Sequence, residues 1–163
     1  SRASDAEREE SWYRWNTLFS TEELNAAAET FYPGQIGQIL SLNVLKRLEN
    51  GRAEVLQVTG TLGTVAIEGE YAIRQFLRPG DQAVILQDGS TAPSLGLLPS
   101  AFFYITPQYQ GGVLSGFLLN GGGYGHGDGM SQNGAKHLAE EGWSCQKILK
   151  YYYGDGVEII CDT

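Results

Sequence analysis

The sequence predicts an α+β fold: a mainly antiparallel sheet with three to four short helices, in a single domain fragment. Two observations carry that reading. Short runs rich in β-branched and aromatic residues follow one another as neighbouring hairpins, rather than alternating with helices as a parallel sheet requires. Apolar residues at helical spacing, opened by cap residues, occur at only a few places, and no repeat period marks a solenoid.

Residues 1–10 are polar and charged without periodicity, and read as a linker or frayed end; residues 11–163 form the domain. Residues 11–19 alternate aromatic and polar side chains and read as a strand with one buried face. Trp12 and Trp15 then face opposite ways, one to the core. Ser20-Thr21-Glu22-Glu23 is a capping box, opening a helix with Leu24, Ala27, Ala28 and Phe31 on one face and ending at Pro33-Gly34. Strands at 37–48, 52–59 and 64–68, separated by Asn50-Gly51 and a turn at 60–63, read as a meander. Gly69 leads into a short helix through Ile73, Phe76 and Leu77. Residues 81–100 read as a surface excursion with a small strand at 83–87. Residues 101–106 and 113–119 form a hairpin around a Pro/Gly loop. Helices follow at 131–141 and after Ser144, the latter with Cys145, Ile148, Leu149 and Tyr152 on one side. A last strand covers 157–161. Within Tyr151-Tyr152-Tyr153, Tyr152 is the core candidate.

Charge excludes some functions. Lys plus Arg number 11 and Asp plus Glu 19, for a formal charge of −8 without any basic cluster. Neutralising nucleic-acid phosphates requires such a cluster, so nucleic acid is excluded, and so is docking on anionic lipid. No apolar run approaches the roughly 20 residues of a membrane span. The chain starts at Ser1 without Met, as a processed or truncated chain does. Cys145 and Cys161 permit one disulfide. With His126 and His137 they lack the short paired spacing of a zinc site, so neither a metal nor another cofactor is expected.

The stretch that carries chemistry runs from Gly121 to Gln132, with six glycines in nine positions. Glycine costs conformational entropy, so this density implies close backbone approach or positive φ. Tyr124, His126, Asp128 and Ser131 interrupt the run, and a helix starts just beyond, its free amides at its N-terminus. The glycine spacing fails the dinucleotide pattern. The triphosphate loop also fails, because Ala135-Lys136-His137 stands where Lys-Ser/Thr is required. Ser131, His126 and Asp128 lie within six residues, but Ser131 lacks the Gly-x-Ser-x-Gly elbow. A binding loop and a purely structural strand-to-helix turn both fit these residues.

Gly125-His126-Gly127-Asp128-Gly129-Met130-Ser131-Gln132-Asn133-Gly134-Ala135 resembles the signature of the stage II sporulation protein D (amidase enhancer) family. The resemblance continues through His137-Leu138-Ala139, Gly142-Trp143-Ser144 and Ile148-Leu149-Lys150-Tyr151-Tyr152-Tyr153, and upstream in Tyr13-Arg14-Trp15 and Leu98-Pro99-Ser100. The chain departs from the family pattern at Asp128, where an apolar residue is commoner, and at Tyr124, where Trp is common. Residues 81–93 resemble an insertion.

The resemblance implies the C-terminal part of a peptidoglycan lytic transglycosylase-type domain, extracytoplasmic, serving spore engulfment or septal wall remodelling. In such chemistry one carboxyl protonates the glycosidic oxygen and then takes the proton of the sugar's own 6-hydroxyl. The family's glutamate-bearing segment has no match here, so no catalytic residue is expected in this chain and it should be inactive alone. Peptidoglycan glycan strands are the implied partner, held by Tyr124, His126, Ser131, Gln132 and the glycines Gly125, Gly127 and Gly129, with Asp128 auxiliary. The alternatives are a protein-contact activator of a cell-wall amidase, and a half-domain that only completes the fold of an upstream part.

Overall fold

A computed structural model of the chain describes residues 7–92 and 95–158. These fall into two compact units, one of Ser11–Gly127 and one of Asp128–Thr163 with Ser1–Glu10. The α+β class holds, and every strand pairing is antiparallel.

The first unit begins with a 3-10 turn, Ser11–Tyr13, and strand β1, Trp15–Ser20. The strand expected from residue 11 therefore starts at Trp15. The carbonyls before it are engaged elsewhere: Trp12 O accepts from Gly123 N and Tyr13 O from Arg14 Nη1. Trp15 is buried and Trp12 half-buried, but Trp12 lies in the turn, not on the strand.

Helix α1, Thr21–Phe31, carries the expected capping box: Ser20 Oγ accepts from Glu23 N at 3.2 Å, and Glu23 Oε2 accepts from Ser20 N at 2.8 Å. Its buried face is Leu24 and Ala28. Strands β2 (Ile39–Arg47), β3 (Ala53–Gly60) and β4 (Thr64–Glu68) form the expected meander as a sheet ordered β2-β3-β4.

Helix α2, Glu70–Phe76, buries Arg74 with its apolar residues. Arg74 pairs with Glu70 at 3.0 Å and donates through Nε to Leu98 O at 2.8 Å. That pairing corrects the reading of 81–100 as a surface excursion. Leu98, Pro99 and Ser100 are buried, and β5 (Val84–Leu86) pairs with a two-residue strand β6, Thr91–Ala92. The periodicity of so short a segment carries no sign of this, because its burial is dictated by a guanidinium on another element.

Strands β7 (Phe103–Gln110) and β8 (Val113–Gly121) meet at Gly111-Gly112, whose φ of 58° and 82° suit a tight two-residue hairpin turn. β7 runs on through Pro107, which was expected in the loop. β7 is an edge strand of the sheet ordered β6-β5-β1-β8-β7, and an edge tolerates a residue without an N–H. Trp15, Phe19, Phe117, Leu119 and Phe103 point from this sheet into one core with α1, α2 and the meander.

The second unit holds α3 (Gln132–Glu140) and α4 (Cys145–Tyr153), capped by Ser131 and Ser144. Leu138 and Ile148 make its core, with Ala135, Trp143 and Tyr152 packed against them. Cys145 is exposed, although its spacing sets it on the helix side of Ile148, Leu149 and Tyr152. Cys161 and its pairing lie outside the described residues. So does most of the expected last strand, of which residues 157 and 158 carry no regular structure. Within 1–10, residues 1–6 are outside the described set and Glu7–Glu9 forms a 3-10 turn.

Candidate functional site

The glycine-rich segment divides between the two units, after Gly127. In the first unit it leaves β8 as a backbone tied down almost residue by residue. Gly122 N donates to Phe102 O at 3.0 Å, Gly123 N to Trp12 O at 2.8 Å and Gly125 N to Pro99 O at 2.9 Å. Ser100 Oγ donates to Gly122 O at 2.7 Å, and the Trp15 indole N–H to Gly123 O at 3.0 Å.

The glycines have two separate physical reasons. A Cβ on Gly121 would lie 2.1 Å from Trp15 Cζ2, so the indole needs bare backbone there. Gly123, Gly125 and Gly127 take φ of 78°, 138° and 76°, which L side chains adopt only with strain. Gly127 meets both conditions, since a Cβ would also lie 2.4 Å from Phe102.

This backbone displays Tyr124 and His126. Tyr124 is 62% exposed, and its ring sits 4.6 Å from that of Trp12, tilted by 50°. His126 is exposed, and its carbonyl accepts from Arg52 Nη1 at 2.9 Å. Arg52 is itself buried and lies 3.7 Å from the Glu54 carboxylate. The loop's end is thus fastened to the meander through a cation.

In the second unit, Asp128, Gly129 and Gln132 are exposed, and Ser131 is half-buried as the α3 N-cap. Ser131 Oγ accepts from Gly134 N at 3.1 Å and donates to Glu7 Oε1 in a short hydrogen bond. Gly134 is buried, and a Cβ there would lie 2.2 Å from the Tyr152 hydroxyl. Burial, then the Glu7 charge, push the Tyr152 phenol above its ordinary range, against a smaller opposing hydrogen bond with Ser131. Sequence reasoning missed Glu7. It belongs to a stretch without periodicity, and its one hint is general: a carboxylate is favoured beside a helix N-terminus.

The expected site residues are therefore distributed. Tyr124, Gly125, His126 and Gly127 belong to the first unit, and Asp128, Gly129, Ser131 and Gln132 to the second. Among the described residues, no group of three or more His, Cys, Asp or Glu is placed to hold a metal ion, and no helix is long and apolar enough to cross a membrane.

The first unit also carries a cleft of about 770 Å³, which no local pattern of residues locates. Strand register builds its floor. Asn16 pairs with Asn120, and Asn120 with Tyr104, so the three stand in one row across β1, β8 and β7. Arg14, Arg47, Asn50 and Gln87 complete its polar lining.

The model of a family described as Domain of unknown function (DUF8618) matches residues 1–129. A stretch of 39 residues is 59% identical to "Amidase enhancer" of Bacillus subtilis (strain 168), covering 24% of this chain and 6% of that protein. A stretch of 37 residues is 57% identical to "Stage II sporulation protein D" of Bacillus amyloliquefaciens, covering 23% of this chain and 10% of that protein. The matched stretches span a small fraction of either relative's length.

Proposed function

The chain belongs to the family described as Domain of unknown function (DUF8618), and from that premise we propose that it is a glycan-strand-binding part of a bacterial cell-wall remodelling protein, related to the C-terminal part of stage II sporulation protein D. The observation that carries the reading is the Tyr124–Trp12 aromatic pair, exposed beside His126 on a backbone fixed by hydrogen bonds. An aromatic ring held rigid offers its face to the apolar face of a sugar at little entropic cost. The exposed His126 side chain supplies hydrogen-bonding nitrogens for hydroxyl and N-acetyl groups. The two relatives' names, which speak of enhancing an amidase and of sporulation, support a sporulation-related role, and the proposed setting is extracytoplasmic.

In this reading the chain binds and does not cleave. General acid catalysis needs a carboxyl held protonated and within reach of the glycosidic oxygen. Glu22, Glu29, Glu140 and Glu141 are exposed, so none is a carboxyl enclosed in an apolar pocket.

The test is an NMR titration with glycan strands stripped of their stem peptides. Shifts at Tyr124 and His126 are expected, and none at millimolar sugar would refute the reading. A second reading rests on the printed name of one relative, "Amidase enhancer": the chain touches a wall amidase and raises its activity. It predicts capture of purified amidase by the chain without glycan affinity, so running both assays together separates the two.

A further inference from the structure

We infer that the cleft across β1, β8 and β7 is a binding site for a saccharide bearing a carboxylate, with Arg14 and Arg47 as the acid-recognising groups. The saccharide part rests on the glycan reading above; the carboxylate part rests on the arginines alone.

Both guanidinium groups are placed before any ligand arrives. Arg47 donates through Nη1 to Gly51 O at 3.0 Å and through Nη2 to Phe103 O at 2.7 Å, and lies 5.1 Å from the centre of the Tyr104 ring. Arg14 donates through Nη1 to Tyr13 O at 2.7 Å and lies 3.9 Å from the Tyr13 ring centre. Backbone carbonyls position these cations without neutralising them, and a guanidinium retains further N–H donors after one or two such bonds. Among the described residues neither arginine has a carboxylate partner, unlike Arg52 and Arg74, and no Asp or Glu lines the cleft.

In a chain of formal charge −8 this is a local reversal of sign. At physiological ionic strength the Debye length is about 8 Å, so the surrounding acids are largely screened and the nearby arginines dominate.

The remainder of the lining argues for a sugar rather than a bare anion. Asn16, Asn50 and Asn120 each present both a donor and an acceptor, which complements hydroxyl and N-acetyl groups. A phosphate at neutral pH carries one or two P–O–H donors, too few for the three asparagine carbonyl oxygens of the lining. Tyr104 is 75% exposed and offers a ring on the same row. The volume of about 770 Å³ lies inside the range of roughly 300–1,000 Å³ usual for small-molecule sites. Two strand spacings of about 4.8 Å separate β1 from β7, a span suited to a short oligosaccharide. In a glycan strand stripped of its peptides, the matching acid is the lactyl carboxylate left exposed when the peptide is removed.

The test follows the Nε–Hε signals of Arg14 and Arg47 and the side-chain amides of Asn16 and Asn120 by NMR. The titrants are N-acetylmuramic acid, its methyl ester, N-acetylglucosamine and inorganic phosphate. The acid should move these signals at millimolar concentration, and the ester and the neutral sugar should bind at least tenfold more weakly. Arg14→Gln and Arg47→Gln should each weaken the acid about tenfold with the far-UV circular dichroism unchanged, and Lys136→Gln, in the other unit, should have no effect. Arg14→Gln keeps the test decisive if loss of the Phe103 contact unfolds Arg47→Gln. Equal affinity for acid and ester, equal affinity for phosphate, or unmoved arginine signals would overturn the inference. If stripped strands leave Tyr124 and His126 unmoved while the acid moves Arg14 and Arg47, the glycine-loop reading falls and this one stands. The opposite pattern sinks this one alone.

Discussion

Gly121→Ala tests the physical account of the glycine-rich segment most directly. The added methyl would lie 2.1, 2.4 and 2.5 Å from three atoms of the Trp15 indole, where real contacts stay beyond about 3 Å. The indole cannot retreat cheaply, because it is 2% exposed and its N–H is bonded to Gly123 O. Overpacking of this kind costs about 1–3 kcal/mol. If the indole tilts to relieve the clash, losing its hydrogen bond adds about 1 kcal/mol. A total of about 2–4 kcal/mol is expected, read as a lower urea midpoint in far-UV circular dichroism with an unchanged slope. Trp15→Phe removes the clashing ring atoms, so the double variant should be more stable than the sum of the single effects predicts, by more than about 1 kcal/mol. Gly125→Ala is the contrast: a Cβ there meets nothing within 4 Å, so only the positive φ matters and the cost is about 1–2 kcal/mol whatever stands at position 15. A change below about 0.5 kcal/mol in Gly121→Ala, or additivity with Trp15→Phe, would refute the argument.

Arg52→Ala removes the donor to His126 O and strands the Glu54 carboxylate, so a loss of about 2 kcal/mol and faster amide exchange across 125–127 are expected; unchanged exchange would show that the cation does not hold the loop. Ser20→Ala should cost about 1 kcal/mol near neutral pH. Burial alone raises the Glu23 pKa, but hydrogen bonds from Ser20 and Gln82 outweigh it, so this carboxyl titrates below its ordinary value. Its contribution is present above the unfolded pKa and lost as pH falls through the folded one, so the midpoints of Ser20→Ala and the parent should converge in acid. Glu7→Gln removes a charge that raises the Tyr152 phenol and should lower its titration, followed by NMR of the ring carbon bearing the hydroxyl; no change would place Glu7 away from Tyr152. Incubated alone with stripped glycan strands, the chain should release no anhydro-sugars by mass spectrometry, and release that disappears in Asp128→Asn would identify a catalytic acid in the loop.

Signals that are local in the chain were legible from the residues. The capping box at Ser20 and Glu23, the β3–β4 turn and the cap at Ser144 depend on neighbours a few positions apart, so sequence spacing states them directly. The antiparallel class followed in the same way, since strands joined by tight turns can pair only with reversed direction. The glycine density correctly announced positive φ and close approach, but not which glycine served which purpose.

What the sequence determined by itself was the helix starts at Ser20 and Ser144, the turns of the meander, the antiparallel class, and that the glycine-rich segment needs positive φ or close backbone approach. The tertiary structure alone decided the rest: that Gly121 is bare for Trp15, that Arg74 buries Leu98, that Glu7 meets Ser131, and that Asn16, Asn120 and Tyr104 line one cleft. The reason is separation along the chain. Helix caps and turns are held by hydrogen bonds spanning a few residues, whereas the Glu7–Ser131 pair spans 124 and the Trp15–Gly123 bond 108, so packing and strand register create these contacts and no local pattern records them.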